Sequence, residues 1–277
     1  MRSSCNDGST DASAAKVSEY IKGDERFRLI EHQENSSVLC ARISGLRAAR
    51  GKYISFIDID DYVEPDYFLK ISDSLKASPV DILSIGFIKE PSGEAVMPSV
   101  SQDPLRDLLD CKFISALFIN IFSREVMDKT LSFLREGYCN MAEDYYIKTI
   151  AFNIAESFGC LTEYLYHYIA DGGMSSGTKG LSREKLKKQI GYIELAARGM
   201  KDYLLKERPE LVDMADSTRF TIITSTMYQY GGRCSWRELY EYMGIFCCDE
   251  YEPVLKWIFE EFVPLRNSYI KMAAGRK

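Results

Sequence analysis

An apolar run, Tyr53-Ile54-Ser55-Phe56-Ile57, passes directly into Asp58-Ile59-Asp60-Asp61, and this junction constrains the fold more than any other feature. So apolar a strand belongs in a sheet covered on both faces. Three carboxylates at its carboxyl end repel one another and resist full ionisation unless a positive charge offsets them. In open α/β sheets, ligands gather at such strand ends. A divalent cation carrying a phosphate ester meets both conditions, because Mg²⁺ takes one or two protein carboxylates and completes its shell with phosphate oxygens and water.

Around that junction the element types alternate. Thr10 or Asp11 is placed to cap a helix over Ala12 to Ile21, followed by a strand at Phe27 to Glu31 and a helix over Val38 to Ala49, with Gly51 at its stop. After the strand Tyr53 to Ile57, Pro65 opens a helix through Ser74, and Ile82 to Ile88 and Leu117 to Phe122 read as further strands. Glu143 and Asp144 then begin a helix whose apolar face is Ile147, Ile150, Ala151 and Ile154. This order predicts an α/β fold with a Rossmann-type, mostly parallel sheet over residues 1–178. Residues 179–277 read as a helical module: Leu186, Ile190, Ile193, Ala197, Met200 and Leu204 recur at steps of four and three, Ser235 to Glu238 has capping-box spacing, and Pro253 suits a helix start. Such a module can pack on the α/β domain, pair with a second copy as a homodimer, or meet an acceptor molecule; core packing is the plainest use.

Composition narrows the function. The 277 residues, 46% hydrophobic, suffice for one large or two modest cores. A net charge of −6 and no contiguous basic stripe argue against nucleic acid as a partner. Eight cysteines without a Cys-x-x-Cys pair point to free thiols in a reducing cytoplasm. No apolar run approaches the roughly 18 residues needed to cross a bilayer. The mildly basic tail Arg266 to Lys277 is the one candidate for peripheral contact at the inner membrane face.

Further motifs fall in a recognisable order: Asn6-Asp7-Gly8-Ser9-Thr10-Asp11, His32-Gln33-Glu34-Asn35, Ala41-Arg42, Gly45, Ala48 to Ile54, Asp58-x-Asp60-Asp61 and Ala142-Glu143-Asp144-Tyr145. Together they resemble an inverting family 2 glycosyltransferase of the GT-A fold over about residues 2 to 176, and the joint pattern is far more specific than any single piece. The resemblance implies a nucleotide-sugar donor and a glycan or lipid-linked acceptor, as in bacterial surface polysaccharide assembly. It implies Mg²⁺ or Mn²⁺ on Asp60, with Asp58 beside it and near the ribose. Asp7 would contact the base, Arg42 and Asp61 would complete the donor site, and Asp144 would be the general base of an acidic pair with Glu143. No Gln-x-x-Arg-Trp motif of processive polymerases is present, so single transfers are expected. Gly173 to Ser176 matches a small-residue segment that closes over the donor in such enzymes.

Departures and simpler explanations stand beside this. Members of the family begin with an apolar strand and helix, whereas only Met1 to Cys5 precede the Asp7 turn, so the central strand is expected to be missing. Either Met1 is an internal methionine of a longer natural protein or the chain is a shortened paralogue with an impaired donor site; the retained pattern favours the first. Asn6 replaces a usual Asp and Ile43 a usual Asn. Asp61 can simply cap a turn. Glu143 and Asp144 suit a helix N-terminus, where each carboxylate is worth about 0.3 to 1 kcal/mol. His167, between Tyr166 and Tyr168, reads as a packed strand residue. Phe56 to Val63 also approximates the Asp-x-Asp-x-Thr start of haloacid dehalogenase-like phosphatases, with Tyr62 in place of the Thr. A third reading is a non-catalytic relic acting as an interaction protein.

Overall fold

The computed structural model describes residues 2–98, 101–170 and 183–231. Arg2–Asp7 (β1) lies parallel to Phe27–His32 (β2), in register from Arg2 with Phe27 to Asp7 with His32. The short lead-in to the Asp7 turn is therefore itself a strand, although it buries no side chain fully; a partner, and not apolarity, defines it. Ser13–Tyr20 (α1) follows, with Asp11 accepting the Ser13 amide at 2.9 Å. Val38–Ala48 (α2) packs its Leu39, Ile43 and Leu46 inward and returns the chain to the acidic junction.

The second sheet has six strands. Tyr53–Ser55 (β3), Asn120–Ser123 (β7), Ile82–Glu90 (β5), Phe158–Ile169 (β8) and Tyr62–Val63 (β4) lie side by side in that order, and Glu94–Val96 (β6) pairs with β5. Only β5 and β8 run parallel in it; the other pairings are antiparallel. The mostly parallel sheet expected from the element order is thus a mixed one. One cause is local: three residues join β5 to β6, and Gly93 at φ +70° closes that hairpin, so the return must be antiparallel. Leu117–Ile119, expected to be strand, is a turn of 3₁₀ helix that buries all three side chains before β7 begins.

One face of this sheet carries Leu83, Ile85, Phe87, Ile121 and Leu165 against Tyr67, Ile71 and Leu75 of Tyr67–Ala77 (α3). Strand alternation sends the intervening residues to the opposite face, which Pro104–Leu109 (α4), Arg124–Phe133 (α5) and Glu143–Ile154 (α6) approach. His167 is a buried β8 residue, within 2.9 Å of Glu64 and 3.1 Å of Glu90 and stacked on Tyr62.

Two helices complete the described chain, Arg183–Glu207 (α7) and Val212–Gly231 (α8). The heptad-like positions Ile190, Ile193, Ala197, Met200 and Leu204 are all buried. Residues 1–180 and 188–224 cluster as one compact unit, and 181–187 with 225–277 as another. Within the first, Asp202 pairs with Arg135 at 2.8 Å and the Tyr203 hydroxyl accepts from Asn153 at 2.8 Å, fixing α7 on α6 and on the segment that follows α5. The segment Gly173 to Ser176, the capping box at Ser235, Pro253 and the basic tail lie outside the described residues. No helix among the described residues is long and apolar enough to cross a membrane.

Candidate active site

β3 is paired with β7 as far as Ser55, opposite Ile121, and beyond it the chain leaves the sheet. Asp58 to Asp61 then form a tight turn, the Asp61 amide donating to the Asp58 carbonyl at 3.2 Å. Tyr166 of β8, fully buried, holds this turn from beneath. Its hydroxyl donates to Asp61 Oδ2 at 2.6 Å and accepts from the Asp58 amide at 3.1 Å, while Asp61 Oδ1 accepts from the Ile169 amide at 2.8 Å. Both Asp61 oxygens are therefore engaged by β8. Burial still pushes its carboxyl above the usual range, with Asp60 and Asp58 adding repulsion and the hydrogen bonds opposing. Asp60 is exposed, and its side chain makes no hydrogen bond or ion pair among the described residues.

Arg42 of α2 connects the turn to α6. One guanidinium nitrogen donates to Asp58 Oδ1 at 3.3 Å and the other to Glu143 Oε1 in a very short bond. Glu143 is 7% exposed, and burial pushes its carboxyl up against the pull of Arg42, with Asp144 and Asp58 adding repulsion. Desolvation opposes the Arg42 charge, but Glu143, Asp58 and Asp144 outweigh it and hold the guanidinium above its ordinary value. Asp144, next along, accepts from Ser115 Oγ at 2.9 Å and from the Tyr145 amide at 2.8 Å. The preceding residue, Ala142, has φ +64°, a left-handed conformation that costs a non-glycine residue energy and lets α6 begin abruptly at the acidic pair.

Asp7 sits elsewhere. Its carboxylate accepts the Ser36 and Ser37 amides at 2.9 Å each and contacts His32 Nδ1 at 2.7 Å, and it shares no hydrogen bond with the Asp58–Arg42–Glu143 chain. Gly8 beside it has φ +68°, and a Cβ there would lie 2.5 Å from the Asn35 nitrogen, so only glycine fits. Asn6 acts locally, its side chain accepting the Ser9 amide at 3.1 Å.

The structure thus brings Asp58, Arg42, Glu143 and Asp144 into mutual electrostatic reach. It leaves Asp60 projecting, turns Asp61 inward and keeps Asp7 in the β1–β2 corner. Tyr166 and Ser115 are contributors that no sequence motif marks; a tyrosine in an apolar strand and a serine in a loop are common, and only their contacts identify them. Among the described residues no three His, Cys, Asp or Glu side chains are grouped to cage a metal ion. The donor set, an exposed Asp60 with Asp58 two residues away, fits an ion that draws most of its shell from a diphosphate and water.

A family model described as glycosyl transferase family 2 matches residues 4–145, which is half of the chain. EpsJ of Bacillus subtilis, described as an uncharacterized glycosyltransferase, is 32% identical over 175 residues, 59% of this chain and 50% of its own. A poly(ribitol-phosphate) beta-glucosyltransferase of Bacillus spizizenii is 28% identical over 167 residues, covering 59% of this chain and 26% of that one. The chain therefore spans half or less of the length of these relatives. Among solved structures, S. aureus TarS 1-349 in complex with UDP-GlcNAc superposes with a TM-score of 0.58 at 17% identity, over 92% of this chain and 69% of that one. At that identity the likeness is one of fold, an α/β arrangement of GT-A type. The dehalogenase-like phosphatase reading gives way to these matches, and the chain belongs to glycosyl transferase family 2.

Proposed function

We propose that the site transfers one sugar from a nucleotide-sugar donor to a hydroxyl of a glycan or lipid-linked acceptor, with inversion at the anomeric carbon. The carrying observation is the run Asp58–Arg42–Glu143, which ties the carboxylates after β3 to the helix that begins with Asp144. In this reading Asp60, with Asp58, would hold Mg²⁺ or Mn²⁺, which when bound would supply charge stabilisation to the leaving group, so that it needs no proton. Asp58 also lies by the ribose, Asp7 contacts the base, and Arg42 and Asp61 fix the donor side of the pocket, Asp61 by holding the turn.

Asp144 accepts the proton of the acceptor hydroxyl as its oxygen bonds to the anomeric carbon. The bond from that carbon to the diphosphate oxygen breaks, and the nucleoside diphosphate leaves with the electron pair. Glu143 keeps Arg42 in place, and Ser115 orients Asp144. The complex of TarS with UDP-GlcNAc and the poly(ribitol-phosphate) glucosyltransferase relative support a UDP-sugar donor and a bacterial surface polymer as the acceptor class. The enzyme then works in the cytoplasm, at the inner face of the membrane where such acceptors are assembled.

Two variants test this reading. Asp60→Ala is expected to abolish Mn²⁺-dependent binding of UDP-GlcNAc in titration calorimetry. Asp144→Asn is expected to bind the donor as the parent does yet to lose at least about a hundredfold in transfer. Normal turnover by Asp144→Asn removes the base assignment, and metal-independent binding by the parent removes the role given to Asp60.

A further inference from the structure

Behind α6, on its sheet side, lies a cavity of about 260 Å³. Its walls are mainly apolar, Ile119, Phe113, Phe152 and Phe158 among them, yet two polar side chains lining it are almost wholly buried: Lys148 of α6 and Asn120 of β7, each 1% exposed. The Lys148 ammonium donates to the Ile114 carbonyl at 2.7 Å and lies 5.0 Å from the centre of the Phe152 ring. That uses one of its three donors. Asn120 Nδ2 donates to Ser84 Oγ at 2.8 Å, and its Oδ1 has no partner. Exchanging the amide nitrogen and oxygen would move that deficit to the other atom without removing it.

The charges are one-sided. No Asp or Glu lines the cavity, and its other charged lining residue is Lys112, which is paired with Asp110 and Asp107 outside it. A buried ammonium ordinarily has a carboxylate partner, because removing it from water is costly. Here the nearest acid, Asp144, is one helical turn away and bonded to Ser115. A neutral apolar guest would leave both the ammonium and the amide unserved, and a free inorganic anion would waste the aromatic walls.

We propose that this cavity is a binding site for a small carboxylate with an apolar body, its oxygens taken by Lys148, its body by the aromatic walls, and any hydroxyl or N–H it carries by Asn120. The site is independent of the transfer reaction, although Ile114, which Lys148 grips, directly precedes the serine that holds Asp144.

Benzoate and its neutral counterpart benzamide are suitable probes, followed by calorimetry on the full chain. Benzoate should bind at millimolar concentrations or better and benzamide at least tenfold more weakly. Lys148→Met should abolish that preference without lowering thermal stability. Burial holds the Lys148 ammonium down at about 7, opposed only by Asp144, so a bound anion should raise it. Binding to the parent at about pH 8 should then take up a proton, seen as a dependence of the heat on buffer ionisation. This measurement decides the matter even if Lys148→Met does not fold. Equal binding of the two probes, binding of neither because only water occupies the cavity, absence of proton uptake, or undiminished benzoate binding by Lys148→Met would each overturn the proposal.

Discussion

Tyr166 is the residue on which the acidic turn rests. Its hydroxyl serves the Asp58 amide and an Asp61 oxygen at once, and burial with the Asp61 bond holds its phenol well above the ordinary tyrosine range, so it remains a neutral donor at any working pH. Tyr166→Phe keeps the ring stacked on Phe118, centroids 4.3 Å apart, but strands an amide and a carboxylate oxygen. The expected cost is about 1 to 3 kcal/mol in urea unfolding, the usual penalty for leaving buried groups unsatisfied. Donor affinity should also fall severalfold, because the turn carrying Asp60 loses its support. An unchanged donor affinity would show that the turn holds its shape without the phenol. At this scale the sequence was most legible where a residue type has few uses, as in the density of carboxylates that follows Ile57. Tyr166 and Ser115 were silent because a hydroxyl announces nothing until its partner, about a hundred residues away for Tyr166, is in place.

Among the elements, the packing of α7 on α6 turns on Gly199. A Cβ there would meet the Tyr146 ring at 2.5 to 2.9 Å. The ring cannot retreat, since Tyr146 is 2% exposed and its hydroxyl accepts the Arg135 amide and donates to the Phe133 carbonyl. Alanine is favoured over glycine in a helix by about 1 kcal/mol. Overpacking a tight contact costs about 1 to 3 kcal/mol, so the clash wins. Gly199→Ala should lower the urea midpoint without altering the slope, and adding Tyr146→Leu should recover part of the loss; a rise in the midpoint would mean the helices separate freely. The α7 stripe itself was readable, because steps of four and three leave one face apolar whatever lies opposite. Leu117 to Phe122 was not: five apolar residues interrupted only by Asn120 fit a strand or a buried turn equally well, and the start of β7 is set by where β5 and β3 offer hydrogen-bonding partners.

For the whole molecule, Asp81 ties together the start of β5, the start of β8 and the end of β7. Its carboxylate accepts the Glu156 and Ser157 amides at 2.9 and 3.0 Å and the Ser157 hydroxyl at 3.0 Å, and its backbone carbonyl accepts the Ser123 amide at 2.6 Å. Desolvation pulls its pKa up, but these hydrogen bonds outweigh it and hold the carboxyl below its ordinary value. A depressed carboxylate stabilises the fold fully above its unfolded pKa, near 4, and loses that contribution as the pH falls through the folded value. Asp81→Asn should therefore cost about 1 to 2 kcal/mol at neutral pH, and the difference from the parent should shrink in unfolding experiments at increasingly acid pH. A difference that stays constant with pH would assign the loss to geometry and not to charge. The sequence alone determined the types of the elements from Phe27 to Ile88 and of the helix after Ala142, the acidic strand end and the family pattern, because these rest on short-range spacing that a linear string preserves. Tertiary structure decided the strand directions, the inward turn of Asp61, the Arg42 link between Asp58 and Glu143 and the buried lysine cavity. Each depends on which distant groups meet, and hydrogen-bond and burial energies are settled only when they do.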